Sequence, residues 1–159
     1  MNNNTNKTID VLLAYQTKRL QDLIEEMIQC CKEQTSYLSK KFNIPEAELR
    51  CLILFGDERY LTAKSIAQKL DVAKSRVTKI TTGLIRKGLV ETIDDPKDGR
   101  VKLIGLTQRG HRKSQEIFTI ITDLQRRLLL ELDPKQRKMV LTCLEALRSG
   151  MEVVKKQRV

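Results

Sequence analysis

The sequence predicts a mainly α fold with a small β-hairpin wing, a winged helix-turn-helix flanked by long N- and C-terminal dimerisation helices. Three observations predict it. Apolar residues recur three and four apart over long stretches at both ends of the 159-residue chain, the mark of amphipathic helices. Two shorter helical patterns meet at a tight turn in the middle, as in a helix-turn-helix. Directly after them an alternating stretch surrounds Asp95-Pro96-Lys97-Asp98-Gly99-Arg100, which reads as two short strands and a turn.

The first helix is expected from Ile9 to about Leu38, with Ile9, Leu13, Leu20, Leu23, Ile24, Met27, Cys31 and Leu38 on its apolar stripe. It is long for a helix that packs only within its own small domain, so a partner chain is expected to cover the stripe. Asn2–Asn4 reads as a frayed terminus. Asn43-Ile44-Pro45 breaks the pattern, and Pro45 suits the first turn of a second helix through Glu46, Leu49, Leu52, Ile53 and Phe55, ended by Gly56 and Asp57. Thr62 is the expected N-cap of a short third helix with Ile66, Ala67 and Leu70 on its apolar face. Asp71-Val72 makes the turn. A fourth helix then runs from about Ala73 to Lys87. Val77, Ile80, Thr81 and Leu84 face inward on it, and Lys74, Ser75, Arg76, Thr78, Lys79, Thr82 and Arg86 face mostly outward. Gly88 suits the C′ position.

In the hairpin, Leu89, Glu91 and Ile93 alternate on the first strand, and Val101, Leu103 and Leu106 are the apolar positions of the second. Thr107 is the expected cap of a long fifth helix through Ile117, Ile120, Ile121, Leu124 and Leu128. A sixth starts at Pro134 and carries Val140, Leu141, Leu144, Leu147, Met151 and Val154 on one side. The organisation is then residues 1–44 as an N-terminal dimerisation helix, 45–110 as the winged helix-turn-helix DNA-binding domain, and 111–159 as C-terminal dimerisation helices forming one compact chain with the first helix.

Charge is distributed unevenly. Residues 62–113 hold 13 Lys/Arg against 5 Asp/Glu, a net of +8 within a chain whose total is +10. A focused basic face on a helical module is the electrostatic footprint of a duplex DNA reader, because each cation placed at a phosphate releases a condensed counterion. With 40 % hydrophobic and 31 % charged residues, the composition is that of a globular protein. No apolar run approaches the roughly 18 residues needed to span a bilayer, and Met1–Thr8 is polar, unlike a signal peptide. A cytoplasmic location without membrane association is expected. Catalysis finds no support, since there is no Gly-rich phosphate loop and no recognisable nucleophile set.

A helix-turn-helix works because its first helix braces the second, whose side chains reach base edges in the major groove. The small Ala67 permits close approach of the two. Arg76 and Lys79 suit guanine O6/N7, while Ser75, Thr78 and Thr82 suit phosphates or base edges. With Thr62, Lys74 and Arg86 they form the candidate DNA-binding set on the helices, and each has an alternative as an ordinary solvated residue. At the hairpin tip, Lys97, Arg100 and Lys102 are placed to follow the backbone into an adjacent minor groove. Asp98 fits there as the partner that aims Arg100, against the alternative of a solvated turn with a weak surface ion pair.

These residues resemble a known family. Leu61-Thr62 through Leu70, Val77-Thr78-Lys79, Leu84 to Gly88, Asp95-Pro96-Lys97-Asp98-Gly99-Arg100 and Leu106-Thr107 look like the MarR family of transcription regulators, over about residues 50–112. The resemblance implies a homodimer built from the N- and C-terminal helices, a pseudo-palindromic operator in double-stranded DNA, and most often repression. It places Ser75, Arg76, Thr78 and Lys79 at recognition-helix positions and Asp98 and Arg100 at the wing pair. The dimerisation residues expected on this basis are Ile9, Leu13, Leu20, Leu23 and Met27 at one end and Leu141, Leu144, Leu147 and Met151 at the other. Two departures stand out: Ala73 replaces a Ser cap, and Lys79 replaces the more usual Arg, which removes a bidentate fork.

The controlling signal is open at this level. Cys30, Cys31, Cys51 and Cys143 fit small core residues as a set, with thiol-based redox sensing as the alternative. The peroxide-sensing branch of the family keeps its reactive Cys near the start of the first helix, close to Tyr hydroxyls; here Tyr15 is present and no Cys is near it. No cofactor or metal is expected, because the chain has no Cys-x-x-Cys and its single histidine, His111, fits a surface or phosphate-proximal role. As in relatives, a small-molecule effector pocket is possible near Tyr15, Tyr37, Phe42, Phe55 and Phe118, although a core role suits most of them. Two other functions fit the same residues: non-specific architectural DNA binding, and a winged-helix protein-interaction module.

Overall fold

The computed structural model describes residues 3–56, 58–96, 98 and 101–157. Asn2, Asp57, Lys97, Gly99 and Arg100, on which the sequence raised expectations, lie outside the described residues. The elements run α1 (Asn3–Phe42), α2 (Glu46–Phe55), β1 (Tyr60–Thr62), α3 (Ala63–Leu70), α4 (Lys74–Arg86), β2 (Val90–Asp94), β3 (Lys102–Leu106), α5 (Gln108–Leu130) and α6 (Pro134–Lys156). The six helices lie where their apolar periodicities predict them. Asn3 and Asn4 are helical, so α1 begins before the expected frayed end, and Pro45 is the N-cap of α2 rather than part of its first turn.

The chain divides into two compact units, Met1–Ser114 and Gln115–Val159, with the boundary inside α5. In the first, Leu38, Leu49, Leu52, Phe55, Leu61, Ile66, Val77, Leu84 and Ile104 are among the residues buried to 5 % exposure or less. All four residues expected on the inner face of α4, namely Val77, Ile80, Thr81 and Leu84, are buried. The Thr81 hydroxyl donates to the Val77 carbonyl at 3.0 Å, so its polarity is satisfied within the helix. The Thr62 hydroxyl caps α3 by accepting from the Ser65 N–H at 3.0 Å. Asp71 closes the turn in the left-handed region at φ 54°, and α4 starts from Ala73 without a side-chain cap.

The wing differs from the expected hairpin in two ways. Tyr60–Thr62 adds a third strand, giving an antiparallel sheet of order β1-β3-β2. The alternation is also out of phase with the expected one. Val90 and Ile104 are buried, whereas Ile93, Val101 and Leu103 are only half-buried and Glu91 is exposed. The register explains it: Val90 faces Leu106, Thr92 faces Ile104 and Asp94 faces Lys102. Leu89 is buried just before the strand begins, so it does not set the pleat. On the other face, the Tyr60 ring lies over Gly105, where a Cβ would come within 2.9 Å of it.

The second unit contains the rest of α5 and all of α6. Asp133 caps α6 with a full capping box: its carboxylate accepts from the Lys135 and Gln136 N–H groups at 2.8 and 2.9 Å, and Gln136 accepts from the Asp133 N–H. Arg137 Nε bridges the turn by donating to the Leu129 and Leu132 carbonyls. None of the residues of α6 is buried.

Candidate nucleic-acid interface

Successive helical residues turn by about 100°, which places Ser75, Lys79, Thr82 and Arg86 in one ridge directly opposite the buried face of α4. Arg76 flanks that ridge on one side and Thr78 on the other. Lys74, Ser75, Arg76, Thr78, Lys79 and Arg86 are exposed and Thr82 is half-buried. Thr78 turns its hydroxyl back to the Lys74 carbonyl at 3.3 Å, leaving its oxygen available as an acceptor. Thr62 is also half-buried, and its hydroxyl already serves as the cap of α3.

Among the described residues, Lys74, Arg76, Lys79 and Arg86 have no acidic partner. The neighbouring cations differ: Lys69 pairs with Glu58 at 2.7 Å and Lys87 with Glu48 at 2.9 Å. A set of exposed, unneutralised cations on a helix braced by the core is suited to a polyanion.

Residues 90–106 hold Glu91, Asp94, Asp95 and Asp98 against Lys97, Arg100 and Lys102. The hairpin is thus not basic in sum, and the positive charge belongs to α3, α4 and the first turns of α5, which carry Arg109, Arg112 and Lys113. Lys102, expected at a phosphate, is held in an ion pair by Asp94, its cross-strand partner. The proposed pairing of Asp98 with Arg100 lies outside the described residues on the arginine side. Asp98 itself accepts from the Val101 N–H through its backbone carbonyl, at 2.9 Å. Apolar periodicity does not point to Asp94, whereas a register count across the hairpin sets it opposite Lys102. Asp94→Asn is expected to raise affinity for every duplex and to steepen the log–log salt dependence by about one, because Lys102 is released to a phosphate. An unchanged salt slope in an anisotropy series would show that Lys102 does not reach the DNA.

The base of the wing is tied to α5. The Thr107 hydroxyl donates to the Gly88 carbonyl at 2.7 Å and accepts from the Gly110 N–H at 3.0 Å, and the Thr107 N–H donates to the Leu89 carbonyl at 3.1 Å. Thr107 is therefore the cap that the sequence predicts, and it also fixes the exit of α4.

The thiols do not behave as one set. Cys51 is a core residue, and burial, with a smaller contribution from the Glu48 charge, pushes its pKa up to about 12. It stays protonated at neutral pH and is a poor nucleophile. Cys30, Cys31 and Cys143 are exposed, contrary to the core role expected of them. The aromatics also depart from expectation: Phe55 is fully buried and Phe42 half-buried, whereas Tyr15, Tyr37 and Phe118 are 52–68 % exposed. Phe42 lies under the Lys113 ammonium, 5.2 Å from its ring centre.

A helix-turn-helix with a braced, outwardly cationic second helix and a three-stranded wing defines the class of winged helix-turn-helix DNA-binding proteins. Residues 42–101 match the model of the MarR family. The transcriptional regulator AdcR of Streptococcus pneumoniae is 29 % identical over 101 residues, covering 60 % of this chain and 68 % of that protein. In fold, the chain is similar to a MarR family protein from Bacillus stearothermophilus, with a TM-score of 0.77 at 20 % identity over 86 % of this chain and 96 % of the other. It is also similar to S. aureus MepR in its DNA complex, with a TM-score of 0.64 at 22 % identity over 81 % of this chain and 95 % of the other. The family match covers the helix-turn-helix and most of the wing, and the relative of similar sequence is a transcriptional regulator.

Proposed function

We propose that this regulator is a sequence-specific repressor that acts as a homodimer on a pseudo-palindromic operator and is released by a small effector. The unpaired cations of α4, Lys79 and Arg86 on the outward ridge, Arg76 beside it and Lys74 at the exposed first turn, carry the DNA reading. MepR, a neighbour in fold, is known bound to DNA. Ser75, Thr78 and Thr82 supply the hydroxyls beside these cations, and Lys97, Arg100 and Lys102 form the wing's share of the contact, with Asp98 as the partner that aims Arg100.

Dimerisation rests on the apolar residues that each unit leaves uncovered. On α1, Ile9, Leu13, Leu20, Leu23 and Met27 are 39–58 % exposed, and on α6, Leu141, Leu144 and Met151 are 46–52 % exposed, with Leu147 half-buried. Side chains of this size recurring along a helix mark a surface that a partner covers. A second copy satisfies it symmetrically and sets two recognition helices on successive half-sites. The site of action is the cytoplasm, where the DNA is; no helix among the described residues is long and apolar enough to cross a membrane.

The test is anisotropy titration of a duplex from upstream of the protein's own gene against a shuffled duplex across a salt series. Arg76→Ala is expected to cost about 1–3 kcal/mol on the preferred duplex and to relax sequence preference, with little change on the shuffled one. Equal losses on both would assign Arg76 to phosphate. Equal affinities of the native protein for both, with a steep salt slope, would favour architectural binding.

A further inference from the structure

Among the described residues, Glu48 is the one carboxylate buried in the core, 8 % exposed. It lies on the stripe of α2 that also carries Cys51, Leu52 and Phe55, all buried. Its carboxylate rests against Gly83 of α4 so closely that a Cβ there would overlap Oε1 and lie 2.9 Å from Cδ. Lys87, at the end of α4, brings Nζ to 2.9 Å from Oε2. Oε2 has no partner with hydrogen-bond geometry, so the contact is ionic rather than directional. Each charge sits at the helix end that favours it, the carboxylate in the first turn of α2 and the ammonium at the C-terminus of α4.

This contact is built at the expense of stability. A glycine weakens the interior of a helix, and a buried ion pair is often less stabilising than packed apolar residues of the same volume. An alanine at 83 facing a leucine at 48 would avoid both costs. What the pair supplies instead is a single register of α4 on α2, the role for which buried charges are best attested. Arg76, Gly83 and Lys87 are spaced i, i+7 and i+11 and so lie in one row of the helix. A clamp on Gly83 and Lys87 therefore sets the roll of α4 about its axis, and with it the direction in which Arg76 points.

We propose that Glu48 is a positioning residue for DNA recognition: its carboxylate, seated on Gly83 and paired with Lys87, sets the angle at which α4 presents Arg76 to the bases. This rests on the reading of α4 as the recognition helix.

The test uses the full-length protein, the tightest-binding duplex selected from a random library, and a shuffled control. Glu48→Gln keeps the volume and removes the charge. It is expected to lose about tenfold of the preference for the selected duplex, within the range of couplings between contacting residues, while affinity for the shuffled duplex is unchanged. Lys87→Met should do the same, and the double variant should be no worse than either alone. In the DNA-free protein, hydrogen exchange of the α4 amides should be faster in Glu48→Gln.

Retained preference in Glu48→Gln would overturn the proposal, as would equal losses on both duplexes. So would a general loss in Lys87→Met beside a gain in Glu48→Gln, the pattern of a phosphate-binding lysine masked by its neighbour. Where Glu48→Gln does not fold, Lys87→Met at its half-exposed position decides the matter by the same split. If the native protein shows no sequence preference, the reading of α4 as a recognition helix fails; the exchange measurement then still decides whether the clamp holds α4.

Discussion

Gly110→Ala is expected to lower the melting temperature of this protein by roughly 6–12 °C, the shift that about 3 kcal/mol produces in a chain of this size. A Cβ at Gly110 would overlap the Leu89 carbonyl oxygen and lie 2.8 Å from the carbonyl carbon. Both are backbone atoms in the link between α4 and β2, so no rotamer change relieves the clash. Either the first turn of α5 lifts or the link moves. Both break the Thr107 hydrogen bonds to Gly88 and Leu89 that anchor the wing. Overpacking of this kind costs typically about 1–3 kcal/mol, and more where the backbone must shift. Gly150→Ala is the control: nothing lies within 4 Å of its Cβ position inside α6, so removing a helical glycine should stabilise by up to about 1 kcal/mol. A thermal melt of Gly110→Ala within 2 °C of the native protein would mean that α5 does not pack as closely on Leu89 as described.

Leu20→Asp and Met27→Asp are each expected to turn a dimer into a monomer in sedimentation velocity and to abolish high-affinity operator binding. Leu20 and Met27 are seven residues apart on α1, and both are more than 40 % exposed in the single chain. In a symmetric interface every substitution enters twice, and an uncompensated buried charge costs roughly 3–5 kcal/mol. The monomer should keep its helical circular-dichroism spectrum, since neither residue supports the core of its own chain. A dimer that survives both substitutions would place the interface on other residues. Loss of helicity together with dissociation would show that folding and association are coupled.

Most of the architecture can be read locally. The inner face of α4, the Thr62 and Thr107 caps and the Asp71 turn depend on periodicity and on side-chain bonds within three or four residues, which a linear sequence displays. The strand Tyr60–Thr62 has three residues and no alternation of its own; it exists because β3 offers it an edge, with partners 41–45 residues further along the chain. The phase of β2 is not legible from its apolar residues, because Leu89 is buried by packing ahead of the strand, not by the pleat. Cys30, Cys31 and Cys143 match an apolar period, yet the stripe they join is uncovered in a single chain.

The candidate site divides in the same way. Lys79 and Arg86, with Arg76 beside them, are legible as outward cations, because a helix repeats every 3.6 residues and the inward residues fix the rest of the wheel. Which cations are already neutralised is not. Asp94 reaches Lys102 through strand register, and Glu48 reaches Lys87 through the packing of α2 on α4. By itself, then, the sequence determined the helices, the turn between α3 and α4, the family resemblance and the positive sign of the field on α4. The tertiary structure alone decided which charges remain unpaired and which are neutralised by a neighbour, because pairing is a matter of distance in space between residues that the chain keeps far apart.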